Sequence, residues 1–269
     1  MKYGFSTLVC PGWQWDEIIT AASDLGFDGV ELRGIGKDII LPESKLFSET
    51  GIPAIQSSLA RTGLQIPCLS TGACLSDPAV QEAALAEASA YIGLAAKLGA
   101  PYIRVLADRE PAPPADSAVW DDTLLRKSLQ KLLPLAQAKG ITILLETNGV
   151  YADSARLRNL CEALSHPSLG VLWDAHHPYR FFGEKPADTY NNLKPYIRHV
   201  HIKDSVMDNG VFAYRMLGSG DVPLKEVMQI LKHNGYSGYV VLEWVKRWNM
   251  GLEEPGIVLP HFIDAVKKL

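Results

Sequence analysis

Long apolar runs, paired cysteines, glycine-rich phosphate loops and a basic charge balance are all missing from this chain, and each absence removes a class of function. No stretch approaches the roughly 18 uninterrupted apolar residues of a membrane span. The four cysteines, Cys10, Cys68, Cys74 and Cys161, show no CxxC spacing and are too few for a disulfide scaffold, so reduced thiols are expected. The first β-rich segment continues as GFSTLVCPGW, without GxGxxG or GxxxxGKS/T, which weakens a nucleotide-binding reading. A formal net charge of −4 gives no general attraction to nucleic acid or anionic lipid. The opening MKYGFSTLVCPGW carries one Lys and no long apolar stretch, so no signal peptide is expected, and reduced thiols then point to a cytoplasmic location.

What is present suits a single α/β domain spanning residues 1–269. The composition, 47% hydrophobic and 21% charged, is that of a soluble globular protein, and the length of 269 residues is close to the roughly 250 of a (β/α)8 TIM barrel. One pattern recurs: a helical segment, a Gly-containing turn, then a short Val/Ile/Leu-rich run, as in DLGFDGVELR, RTGLQIPCLS, KLGAPYIRVL, AKGITILLE, PSLGVLWD and HNGYSGYVVLE. With KYGFST at the start and IRHVHIKD near residue 200, this makes eight strands. Helical segments are expected over 15–25, 52–62, 78–98, 120–139, 154–165, 186–196, 223–234 and 254–268. Eight of each imply a closed parallel barrel; a doubly wound open sheet is the alternative that alternation alone leaves standing. REPAPPADSAVW after the fourth strand reads as a long surface loop.

Four potential metal ligands close apolar runs where a buried strand would hand over to a loop: Glu146 in ITILLE, Asp174 in GVLWD, His201 in HVHIKD and Glu243 in YVVLE. In parallel barrels the carboxyl ends of the strands carry the chemistry. Three carboxylates and an imidazole there would form one hard, oxygen-rich pocket for a divalent cation, Mn²⁺ or Mg²⁺ ahead of Zn²⁺ or Co²⁺. Taken singly, each acid reads equally well as a surface residue or a helix N-cap. His199, two residues before His201 on the same strand face, is the replacement if the register differs.

The chain resembles the sugar isomerase/epimerase branch of the xylose isomerase-like TIM-barrel superfamily, also described as the AP endonuclease family 2 type barrel. The likeness rests on GFDGVELR, LLETNG, WDAHHPY, HVHIKDS, LGSGDVPL and GYSGYVVLEW, in that order. It implies a divalent cation held by Glu146, Asp174, His201 and Glu243, with Glu146 and Glu243 also forming the acid/base pair, and His177 contacting substrate. The chemistry this implies is enolisation. A proton leaves the carbon beside a carbonyl, a cation chelating the substrate oxygens offsets the developing charge, and two carboxylates on opposite faces exchange the proton. Ketose 3-epimerases of the family are expected to carry an Arg six residues after the metal His and a Glu six after the first metal Glu. Here those positions are Met207 and Ala152, so substrate recognition differs while the metal set is kept.

Further candidates are weighed against structural roles. Arg33 and Glu31 in VELR reach the pocket or form a salt bridge at its mouth. Lys203 and Asp204 orient His201 or meet substrate hydroxyls. Asn148 bonds a sugar hydroxyl or shapes the turn TNGV. Arg215, in what reads as a long loop, supplies the missing cation. His176, beside His177 in an expected loop, is assigned to packing. Of Trp13, Trp173, Trp244 and Trp248, one or two are expected to touch ligand. Arg33, Arg104, Arg215 and Lys246 are scattered candidates for a phosphate, with no dedicated cradle. The leading function is a metal-dependent isomerase or epimerase of a sugar, keto-sugar or related derivative. A dehydratase of a keto-inositol or dehydroshikimate-like acid uses the same enolate. An apurinic-site endonuclease would need more His ligands, yet no His precedes His166, and a non-catalytic sugar-binding barrel stands as the alternative from another class. The expected partner is a small carbohydrate, with no nucleic acid or membrane, and a homo-oligomer is left open.

Overall fold

A computed structural model describes residues 1–115 and 120–269. Ten strands are present among them: β1 Lys2–Ser6, β2 Gly29–Glu31, β3 Cys68–Cys74, β4 Tyr102–Leu106, β5 Thr142–Glu146, β6 Leu169–Asp174, β7 Ile197–Ile202, β8 Asp204–Asp208, β9 Val211–Arg215 and β10 Tyr239–Leu242. Eight form one parallel sheet in the order β2-β1-β10-β7-β6-β5-β4-β3. The first strand lies against the last, with Phe5 opposite Leu242, which excludes the open doubly wound alternative. The remaining seam, between β2 and β3, is joined by the isolated parallel bridges Gly29 to Gln65 and Leu32 to Leu69, so the barrel is nearly closed.

Helices fill the connections: α1 Trp15–Asp24, α2 Ile52–Thr62, α3 Gln81–Leu98, α4 Thr123–Ala138, α5 Ser154–Leu164, α6 His176–Phe182, α7 Pro186–Leu193, α8 Leu224–His233 and α9 Pro255–Val266. Observed ends lie within three residues of the expected ones. The expected start near 120 adjoins residues 116–119, which fall outside the described residues, as does that part of the Pro-rich loop. No helix among the described residues is long and apolar enough to cross a membrane.

Two elements depart from expectation. His176 and His177 open α6 rather than lying in a loop. Residues 204–215 form an antiparallel hairpin, β8 with β9, instead of one long loop. Its turn is Asn209-Gly210, with φ of 49° and 82°, the left-handed pair that a two-residue hairpin turn requires and that Asn-Gly supplies at least cost.

Strand periodicity then sorts the side chains. Residues two apart share a face, so on β5 and β6 Leu144 and Leu172 turn inward and pack with Cys68 as a small inner cluster, with Tyr102 against it. Ile143, Leu145, Val171 and Trp173 turn outward into the larger core beneath the helices. One step further along the inward face come Arg104, Glu146 and Asp174, and the same parity on β7 and β10 brings in His201 and Glu243. Alternation thus keeps a polar layer at the carboxyl end while the opposite faces bury apolar surface.

Candidate active site

Glu146, Asp174, His201 and Glu243 each offer a ligand atom, and all four atoms lie within 4.8 Å of one another. All four residues are buried. His201 Nδ1 lies 3.7 Å from Glu146 Oε1 and 3.5 Å from Glu243 Oε1, too long for good hydrogen bonds, and this fully buried nitrogen has no hydrogen-bond partner. An orphaned imidazole nitrogen facing three carboxylates fits a divalent cation, and the predominance of oxygen donors suits a hard ion.

The other ring nitrogen of His201 is fixed from behind. His201 Nε2 lies 2.7 Å from Glu31 Oε2, and His199 Nε2 lies 2.8 Å from the same oxygen, while Ser70 Oγ donates to Glu31 Oε1 at 2.9 Å. A carboxylate accepting from one nitrogen presents the other as the ligand. Glu31 is therefore neither at the barrel mouth nor free to meet substrate; it orients His201. His199 lies one layer deeper, so the register follows His201.

Asp174 is oriented by the chain that follows it. Its Oδ1 accepts the backbone N–H of His176 at 2.9 Å and of His177 at 3.3 Å, which leaves Oδ2 to the cluster. The Asp174 N–H donates to Thr147 Oγ1 at 2.9 Å, and Thr147 Oγ1 donates to the Asp174 carbonyl at 3.0 Å, locking the ends of β5 and β6 together.

Two cations balance the acids. The Lys203 ammonium is buried and ion-paired with both Asp174 Oδ2 and Glu243 Oε2. Arg104 Nε lies 3.4 Å from Glu146 Oε2, and its Nη1 donates to the Thr71 carbonyl at 3.1 Å. Burial alone would push the Glu243 carboxyl up, but Lys203 and His201 outweigh it and hold the group well below its ordinary range. The Glu146 carboxyl is likewise lowered, burial being overcome mainly by Arg104. Burial would pull Lys203 down, yet Asp174 and Glu243 raise it well above its ordinary value. Both glutamates are thus ionised at neutral pH, as ligands or bases must be.

A cavity of about 670 Å³ opens onto this cluster, and Glu146, Glu243, His177, Lys203, Asn148 and Arg33 all contribute to its wall. His177 Nδ1 lies 2.9 Å from the Thr147 carbonyl, so Nδ1 carries the proton and Nε2 faces inward, 3.8 Å from Asp174 Oδ2. Asn148 lines the cavity, but its amide nitrogen donates to the carbonyls of Asp108 at 2.8 Å and Glu110 at 3.1 Å, tying down the loop after β4. Arg215 does not join the site: it is exposed at the end of β9, and its Nη1 donates to the Tyr214 carbonyl at 2.9 Å. The hairpin brings Tyr214 to the cavity instead, because alternation along β9 turns neighbouring side chains apart.

Other candidates serve the scaffold. His176 Nε2 bonds Ser205 Oγ at 2.9 Å, and its ring packs against Phe212 and Tyr214. Asp204 accepts the backbone N–H groups of Gly218 and Gly220, both at 2.9 Å, and so anchors LGSGDV. A Cβ on Gly220 would fall 2.0 Å from Asp204 Oδ1 and 2.4 Å from the Ser205 carbonyl, so only glycine fits there. Lys246 donates to the carbonyls of Met250 and Leu252. Trp173 and Trp244 are buried in the core, and of the four tryptophans Trp248 alone reaches the cavity wall. A second cleft, of about 520 Å³, lies among Gln56, Leu64, Gln65, Ile66 and Tyr239 at the amino ends of the strands, far from these acids.

The chain matches the family described as Xylose isomerase-like TIM barrel over residues 19–259. It is similar to the fructoselysine 3-epimerase of Shigella flexneri, 26% identical over 262 residues covering 92% of this chain and 90% of the relative. Over 139 residues, 44% of this chain and 45% of the relative, it is 30% identical to the inosose dehydratase of Bacillus thuringiensis (strain Al Hakam). Its fold is also that of a probable 3-DHS dehydratase involved in petrobactin synthesis from Bacillus anthracis, with a TM-score of 0.78, 20% identity and coverage of 99% of both chains.

Proposed function

Because the chain belongs to the xylose isomerase-like TIM barrel family, we propose that it is a metal-dependent isomerase or epimerase of a keto-sugar or a related sugar derivative. The observation that carries this reading is the pairing, in one cavity, of Glu146 at the end of β5 and Glu243 after β10 with an orphaned His201 Nδ1 between them. Glu146, Asp174, His201 and Glu243 would hold a divalent cation, Mn²⁺ or Mg²⁺ by their donor chemistry, and that cation supplies Lewis acidity where negative charge develops on substrate oxygen.

The chain's own residues do the rest. Glu146 or Glu243 removes the proton from the carbon beside the carbonyl, and the partner glutamate returns one to that carbon from the other face, which inverts the stereocentre. A proton returned instead to the former carbonyl carbon, with the neighbouring hydroxyl proton passing to the former carbonyl oxygen, moves the carbonyl. Lys203 and Arg104 keep both carboxylates ionised until then. His177, with Nδ1 fixed by the Thr147 carbonyl, offers Nε2 to a substrate hydroxyl.

A second reading, a dehydratase, uses the same proton abstraction and requires a leaving hydroxyl one carbon further on. It is favoured by the similarity to inosose dehydratase and by Met207 and Ala152, which replace the Arg and Glu expected of ketose 3-epimerases. A multinuclear endonuclease site fits poorly, since His176 and His199 are committed to Ser205 and Glu31.

Proton exchange in D₂O followed by NMR, on Mn²⁺- or Mg²⁺-loaded protein with ketoses, keto-glycosides and keto-inositols, tests the reading. Metal-dependent deuterium beside a carbonyl is the expected result, and the product then separates epimerase from dehydratase. No exchange with any of them, despite bound metal, would sink it.

Glu31 gives a separate expectation. Glu31→Gln leaves His201 without its charged acceptor and should weaken Mn²⁺ binding by about 10–100-fold. Titration of the protein with Mn²⁺ reads this directly, and an unchanged affinity would remove Glu31 from the role.

A further inference from the structure

Four cations line the active-site cavity, Arg33, Arg104, Arg109 and Lys203, and three of them are committed. Arg104 faces Glu146, Lys203 faces Asp174 and Glu243, and Arg109 Nη2 donates to Asp77 Oδ2 at 2.9 Å. Arg33 is different. It is 8% exposed, and its guanidinium makes no hydrogen bond or ion pair with the described residues; Nη1 is buried with no partner. Its backbone N–H is held by Thr7 Oγ1 at 2.8 Å, and its guanidinium carbon lies 5.4 Å from the centre of the Trp248 ring. A Cβ on Gly72 would stand 3.1 Å from its Nη2, so the glycine leaves the room that the guanidinium occupies. The nearby Glu87 accepts the Gly72 N–H at 2.7 Å. Burial, and then Arg104, lower the Arg33 pKa to about 10, so it stays charged at neutral pH.

Glu87 is the acid near Arg33, but it makes no ion pair or hydrogen bond with the guanidinium. A buried guanidinium without a bonded anion is costly, and a cavity wall is where a ligand can supply one. The geometry points to a carboxylate on the substrate, bound by Arg33 at the β2 side of the cavity, so that the substrate is a keto acid of the sugar class. This rests on the enolising reading for the identity of the cavity as the substrate site. The planar fork of the guanidinium matches a carboxylate through two parallel hydrogen bonds. A phosphate, with nearly two charges, ordinarily draws several donors or a helix N-terminus. Here Arg33 stands without an uncommitted second cation, and Glu110 lines the same cavity. Trp248, 57% exposed at the rim, gives the acid end an aromatic face rather than further donors.

The test compares D-fructose, D-fructuronate and D-fructose 6-phosphate by calorimetry on Mn²⁺-loaded wild type, Arg33→Gln and Arg33→Lys. Wild type should bind fructuronate about tenfold or more tightly than fructose. Arg33→Gln should erase that advantage while fructose and Mn²⁺ binding stay unchanged, and Arg33→Lys, which keeps the charge but loses the fork, should retain part of it. Mn²⁺ binding reports whether each variant is folded; if Arg33→Gln fails that check, full retention of the advantage in Arg33→Lys overturns the forked contact. Equal affinities in wild type, an advantage that survives in Arg33→Gln, or stronger binding of the phosphate ester overturn the inference. Arg33-dependent binding without any deuterium exchange would instead sink enolisation and leave the carboxylate site standing.

Discussion

Glu146→Gln should lower turnover by roughly three orders of magnitude while weakening metal binding less than Asp174→Asn does. Glutamine keeps an oxygen where Glu146 Oε1 faces the His201 nitrogen, so a neutral ligand remains. What it cannot do is take a proton. It also leaves Arg104 Nε without its anion at 3.4 Å, a local electrostatic change rather than a loss of shape. Asp174, by contrast, has one oxygen fixed by two backbone N–H groups and the other turned to the cluster, with no face free toward substrate carbon. Asp174→Asn therefore acts chiefly through the cation. Steady-state rates at saturating Mn²⁺, beside Mn²⁺ titrations of both variants, check the contrast. Near wild-type turnover in Glu146→Gln would end its assignment as base.

Lys203→Met should destabilise the metal-free protein by about 3–5 kcal/mol, because it strips a buried ammonium from two buried carboxylates and leaves them uncompensated. The methionine fills similar space, so packing loss is a minor part. Saturating Mn²⁺ should recover most of the deficit, since Asp174 and Glu243 then meet a different positive charge. Thermal denaturation in chelator and in Mn²⁺ gives the comparison, with a gap on the order of 10 °C expected in chelator. A gap of the same size in both conditions would mean that these two carboxylates do not share a cation.

The barrel is legible because its strands are apolar on both faces and several helices, such as α2 at Gly63 and α3 at Gly99, end at glycine. ITILLE and GVLWD announce themselves as buried strands, and the acids that close them stand out against the apolar background. Glu31 and Arg104 were harder. Each sits inside an apolar run, VEL and YIRVL, and is picked out only when inward parity is followed strand by strand around the barrel. By that parity a charged residue on the inward face of β2 or β4 signals the same polar layer. Arg215 reads as a site residue for a related reason: without the hairpin, nothing in YRMLGSGD tells Tyr214 from its neighbour. The Asn209-Gly210 pair was the available sign of that hairpin. The helix that His176 and His177 open could not be read from sequence, because α6 is short and its start depends on Asp174 accepting two backbone N–H groups, a contact that exists only once β6 is in the sheet.

The β2–β3 seam gives the cavity two unlike walls. Glu146, Asp174 and His201 stand on strands of which β5–β6 and β6–β7 are each paired over four residues, the latter with a register shift between Val171 and Leu172, whereas Glu31 and Arg33 stand beside a join made of the bridges Gly29 to Gln65 and Leu32 to Leu69. That join still carries four backbone hydrogen bonds, from Val30 N–H to the Gln65 carbonyl, Gln65 N–H to Asp28, Leu32 N–H to Cys68 and Ser70 N–H to Leu32, so the wall carrying Arg33 is tied to the rest of the barrel through β3. A molecule anchored at both walls would brace the join between β2 and β3 from inside.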